Sequence, residues 1–91
     1  MAIELEFALR AVVALLDSQA ARTYVKPWVA KKFGRSFTEE PEIPRMADGR
    51  TREITEFSEF RARIVDLEVS FRAAVLDDLI GDVFLGHDFL V

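Results

Sequence analysis

Ile3, Leu5 and Phe7 alternate with Glu4 and Glu6, the period-2 pattern of a strand with one face buried. Val12 to Leu16 is a short apolar run with β-branched residues that ends at Asp17. It predicts a fully buried strand that delivers a polar residue where a core meets a cavity. Ala20 to Phe33 contains Tyr24, Val25, Trp28, Val29 and Phe33, with Gly34 at the place of a helix C-cap, and predicts a short helix or turn. Two prolines and the acidic residues Glu39, Glu40 and Glu42 interrupt any regular element from Phe37 to Pro44, so a surface connection is expected there.

Met46-Ala47-Asp48-Gly49-Arg50 follows, and its Asp-Gly pair predicts a projecting hairpin turn between two extended arms. Phe60, Ala62 and Ile64 alternate with Arg61 and Arg63, and Leu67, Val69 and Phe71 alternate with Glu68, Ser70 and Arg72. These are two more strands around a turn at Val65-Asp66. Val83, Phe84 and Leu85 predict a last buried strand, and Gly86 to Leu90 a terminal helical turn. No internal repeat or low-complexity segment is evident. A helical domain is the alternative, because Leu5, Leu9, Val12 and Leu16, and Phe57, Phe60, Ile64, Leu67, Phe71 and Ala74, also fall at heptad-like spacing. The strict alternations favour strands, since they put charged residues inside any helical stripe.

The chain has 91 residues, enough for one domain, 1–91. Its 51% hydrophobic and 31% charged residues describe a soluble globular fold. With 12 Lys and Arg against 16 Asp and Glu there is no basic excess for phosphate contacts, so nucleic acid is not an expected partner. Cysteine is absent, which excludes disulfides, thiolate metal sites and a Cys nucleophile. Glu4 and Glu6 interrupt the N-terminus where a signal peptide needs an apolar run, and no stretch approaches the roughly 18 apolar residues of a membrane span. The chain is expected to be intracellular, or cut from a larger precursor, without a membrane partner.

The order of features carries a resemblance. Leu15-Leu16-Asp17-Ser18, the Met46-Ala47-Asp48-Gly49 hairpin, paired strands and Asp82-Val83-Phe84-Leu85-Gly86-His87-Asp88-Phe89-Leu90 together resemble a protomer of the retropepsins, the homodimeric aspartic proteases of retroviruses and retrotransposons. The resemblance implies a mainly β, small closed barrel with one short C-terminal helix. It also implies a homodimer that hydrolyses polypeptides with no cofactor and no metal, in the cytoplasm or within a retroelement particle. By the same resemblance Asp17 is the catalytic carboxylate that pairs with its symmetry mate, and the Ser18 hydroxyl ties the two catalytic loops together. Gln19, Ala20, Met46, Ala47, Asp48 and Gly49 would then contact substrate, the last four as part of a flap.

The chain departs from the retropepsin pattern at Gln19, where the family has glycine, a residue that admits close approach and conformations a side chain penalises. Ala8-Leu9 and Val65 also stand where turn glycines are common. The sequence stops at Val91, where retropepsins often continue into an interleaving strand, so a weaker dimer is expected. An impaired protease is therefore expected; the alternative is a catalytically inactive, retropepsin-derived or engineered association domain. His87 is the only histidine and has an exposed or structural role rather than that of a base. Asp77, Asp78 and Asp82 lack calcium-loop spacing and read as a solvated turn. Trp28 and the eight Phe read as core.

Overall fold

The computed structural model describes residues 1–8, 10–46 and 48–90. Leu9 of the expected first turn, Ala47 of the expected flap, and Val91 lie outside the described residues. In chain order the elements are β1 (Ala2–Phe7), β2 (Arg10–Leu16), β3 (Tyr24–Val25), α1 (Pro27–Phe33), β4 (Arg35–Phe37), β5 (Phe57–Ile64), β6 (Leu67–Val75), β7 (Val83–Leu85) and α2 (His87–Leu90). The helical alternative is overturned: both stretches with heptad-like spacing are paired strands, because their charged residues need one wet face and period 2 supplies it.

Neighbouring strands run β1-β2-β7-β3-β6-β5-β4. β1 pairs antiparallel with β2, placing Leu5 opposite Val12. β2 runs parallel to β7, with Leu16 opposite Leu85. β3 is antiparallel to β7 and parallel to β6, and β6 pairs antiparallel with the whole of β5, from Leu67 opposite Ile64 to Ala74 opposite Phe57. Glu6 of β1 meets Arg63 of β5, which closes a mixed six-stranded barrel, while β4 lies outside it on β5. Closure removes most of the exposed sheet edge.

Leu5, Phe7, Val12, Phe60, Phe71, Val83 and Leu85 fill the barrel with α1's Val29. Phe7 stacks on Phe33 with centroids 4.4 Å apart, and Phe60 stacks on Phe71 at 5.1 Å. Each such side chain contributes about 2–3 kcal/mol by leaving water. A second apolar cluster of Ile54, Phe57, Ala74 and Leu76 lies beneath the 42–54 segment, with Tyr24, Met46 and Leu79 packed on it. Of the eight Phe, Phe7, Phe57, Phe60 and Phe71 are buried, whereas Trp28 is half-buried and donates Nε1–H to Asp82 Oδ1 at 2.9 Å.

One local expectation is corrected and two are refined. β2 is a one-sided barrel strand rather than a fully buried one, with Val12 and Ala14 inside and Val13 55% exposed. The short helix expected within 20–33 is present as α1, with Gly34 at its C-cap, but it fills only the second half of the segment. β3 occupies Tyr24–Val25, and α1 starts only at Pro27, where a residue without an N–H suits the first helical position. Gly34 ends α1 in an extended conformation, φ −92°, not the left-handed cap. It is there for space, since a Cβ would lie 2.8 Å from the Ala30 carbonyl oxygen and 2.9 Å from the Phe60 ring.

The β5–β6 turn falls at Val65-Asp66, between the paired Ile64 and Leu67. Val65 has φ 57°, a region where an L-residue loses roughly 1–2 kcal/mol and a β-branched one is a true outlier. Its side chain is 79% exposed and gains little from packing. Val65→Gly should therefore raise stability by about 1 kcal/mol, the relieved strain exceeding glycine's larger unfolded-state entropy. The check is a higher urea midpoint with an unchanged slope; a lower midpoint would show that the turn is not strained.

Candidate active site

The Asp17 loop hangs from the junction of β2 and β7. The Leu16 N–H donates to the Met1 carbonyl at 2.8 Å and the Asp17 N–H to the Leu85 carbonyl at 2.9 Å. The chain then turns, with the Ala20 N–H on the Asp17 carbonyl at 3.2 Å and the Gln19 N–H on Asp17 Oδ1 at 3.0 Å. This side-chain-to-backbone closure is the local geometry for which aspartate is suited. It fixes the orientation of a half-buried carboxylate. Gln19 is exposed, and its φ lies outside the left-handed region. Its effect on the site is therefore bulk, not backbone strain.

The closing motif grips the segment after that loop. Gly86 packs so closely that a Cβ would sit 2.3 Å from the Arg22 carbonyl oxygen and 2.9 Å from that of Ala20. The Gly86 N–H donates to Thr23 Oγ1 at 3.1 Å, and the Thr23 hydroxyl donates to Asp88 Oδ1 at 2.7 Å. The backbone N–H of His87 reaches the Ala20 carbonyl at 2.7 Å. Thr23 is fully buried, so its hydroxyl needs both partners. Asp88 thus has a structural task, and exposed His87 contributes its backbone to the clasp.

Residues 42–54 form the projecting hairpin. Glu42 and Ile54 exchange backbone hydrogen bonds of 3.0 and 2.8 Å, Arg45 bridges Thr51, and the Met46 N–H meets the Arg50 carbonyl at 2.7 Å. Gly49 has φ 85° at the tip, a value glycine adopts without penalty, and Asp48 Oδ1 accepts from the Arg50 N–H at 2.9 Å. The arms begin at Glu42, inside what the prolines suggested was a plain connection.

Between hairpin and loop lies a cleft of ≈ 740 Å³. Asp17, Gln19, Ala20, Met46 and Asp48 all line it. Ser18 and Gly49 are exposed beside it and are not part of its lining. Tyr24, Arg45, Arg52, Leu76, Leu79, Ile80 and Phe84 complete most of the wall, and sequence reasoning missed them as site residues. Ile80 is 95% exposed at the mouth. Burial, with help from the charge of Glu42 and against that of Arg22, pushes the Tyr24 hydroxyl above its ordinary value, so it faces the cleft as a neutral phenol.

Two other carboxylates on the wall are engaged. Asp48 caps the hairpin tip, and Asp78 is ion-paired with Arg52, which also reaches Asp77 at 3.6 Å. Asp82 pairs with Lys26 at 4.0 Å. The acidic turn is thus a set of ion-pair partners, and among the described residues no group of three or more His, Asp or Glu is placed to hold a metal ion. No helix among them is long and apolar enough to cross a membrane.

No protein-family model matches the sequence, and no curated protein does. Solved structures do match. The retroviral protease-like domain of Ddi1 from Leishmania major superposes with TM-score 0.69 at 17% identity, over 99% of this chain and 69% of that one. The EIAV protease in complex with an inhibitor gives TM-score 0.71 at 16% identity, over 99% and 84%. The foamy viral protease-reverse transcriptase, bound to an RNA/DNA hybrid, gives 0.68 at 11%, over 99% and 11%. With its mixed six-stranded barrel and short C-terminal helix, the chain has the retropepsin-like fold.

Proposed function

We propose that the chain is one half of an aspartic endopeptidase and hydrolyses polypeptides as a homodimer, with catalysis impaired by Gln19. The observation that carries this is Asp17, held by its own loop at a cleft overhung by a hairpin. Peptide hydrolysis needs a base to take a proton from water and an acid to protonate the carbonyl oxygen and then the leaving amine. Two close carboxylates sharing one proton serve both ends. By the resemblance to retropepsins, the second carboxylate is Asp17 of another copy across a two-fold axis. Ser18, exposed beside Asp17, would link the two loops there. The hairpin would act as the flap, excluding water over an extended substrate whose apolar side chains meet Met46, Leu76, Leu79, Ile80 and Phe84.

The test is cleavage of an unstructured polypeptide at mildly acid pH, blocked by pepstatin. Because the dyad needs two chains, the rate per chain should fall on dilution as dimers dissociate. Cleavage by a demonstrated monomer, at a rate per chain independent of concentration, would overturn the shared dyad. The second reading is a non-catalytic association domain, favoured by the long Gln19 amide on the cleft wall; a dimer that cuts nothing at any concentration would select it.

A further inference from the structure

Arg22 lies five residues after Asp17, in the segment whose backbone the closing motif grips. Its side chain leaves this fixed backbone and crosses to the first arm of the hairpin. One terminal nitrogen pairs with Glu42 and the other lies 3.1 Å from Glu39 Oε2. The guanidinium sits over the Phe57 ring, 4.9 Å from its centroid, and only 19% of the side chain is exposed. Its Nε is buried with no hydrogen-bond partner among the described residues. A planar fork holding two carboxylates against an aromatic face is a directional contact, and its burial weakens the screening that makes most surface pairs inconsequential.

The point of attachment gives the contact its consequence. Glu42 exchanges both backbone hydrogen bonds with Ile54, so it is where the hairpin leaves the body. Arg52, on the other arm, is tied separately to Asp77 and Asp78. We infer that Arg22 is a positioning residue that clamps Glu39 and Glu42 at the root of the hairpin and so sets how the hairpin sits over Asp17. Its effect on peptide affinity rests on the proposed endopeptidase function; the clamp itself does not.

Amide hydrogen exchange separates the two. In Arg22→Met the amides of Glu42, Met46, Arg52 and Ile54 should exchange about tenfold faster, as expected for losing a charged, partly buried contact, while β1 and β2 keep their protection. Glu39→Gln with Glu42→Gln should reproduce this from the other side. Arg22→Lys should fall between, since one ammonium cannot fork to both carboxylates. Unchanged hairpin exchange, or equal acceleration of β1 and β2, would overturn the clamp, the latter by revealing a general structural prop. With a cleaved peptide, Arg22→Met should raise KM about tenfold and change kcat less. Hairpin-confined acceleration in a chain whose wild type cuts nothing would uphold the clamp and sink the endopeptidase.

Discussion

Gly86→Ala is expected to leave the chain barely folded. The added Cβ would meet backbone, the Arg22 carbonyl oxygen at 2.3 Å, its carbon at 2.5 Å and the Ala20 oxygen at 2.9 Å, and no rotamer change can move those atoms. Relief requires the α2 turn to withdraw from residues 20–23. That would break the bonds from the Gly86 and His87 N–H groups and strand the buried Thr23 hydroxyl. Each lost bond costs about 0.5–1.5 kcal/mol and a stranded buried hydroxyl more, so about 3–5 kcal/mol is expected from a total of about 5–10 for a domain of this size. Gly81→Ala is the control. Its Cβ would meet only side chains, Leu15 Cδ1 at 3.2 Å and the Phe84 ring at 3.4 Å, and less than about 1 kcal/mol should be lost. Urea denaturation of both variants decides it; a Gly86→Ala chain within 1 kcal/mol of wild type would mean that the clasp does not hold the Asp17 loop.

What was legible in the sequence follows from which interactions are local. The alternations at Ile3 to Phe7 and Phe60 to Phe71 specify strands because one face of each must be wet, and the β5–β6 register then follows from a two-residue turn. Asp48-Gly49 marks the hairpin tip for an equally local reason, glycine's tolerance of positive φ. The apolar run at Val12 to Leu16 overstates its burial, because barrel closure, which spans the whole chain, decides which face of such a run points out. The cleft wall was hidden for the same cause: Tyr24, Leu79 and Ile80 come together only when β3 and the 77–82 turn meet the hairpin. Arg22 left a faint local trace, a lone cation in the otherwise uncharged stretch Ser18 to Val25, but its partners lie 17 and 20 residues away.

Gln19→Gly is expected to raise peptide hydrolysis by about a hundredfold, the penalty for roughly 1 Å of misplacement at a reacting centre, and Asp17→Asn to abolish whatever hydrolysis either background shows. In the proposed reaction the carboxylate serves as the base, and an amide of the same shape cannot take water's proton. Asparagine keeps a carbonyl oxygen to accept the Gln19 N–H, so the loop can persist while the chemistry is lost. The gain at position 19 has a specific origin. Since Gln19 is not in a left-handed conformation, glycine offers no relief of backbone strain, and its greater chain entropy should cost up to about 1 kcal/mol of stability. What it offers is room on the cleft wall, and Gln19→Ala offers most of the same room. Alanine should therefore recover most of the hydrolytic gain without that loss of stability. Assays at equal dimer concentration keep assembly from being mistaken for chemistry. A gain with glycine but none with alanine would locate the fault in the backbone that substrate binding demands at position 19, and a gain with neither would clear Gln19 of impairing the site.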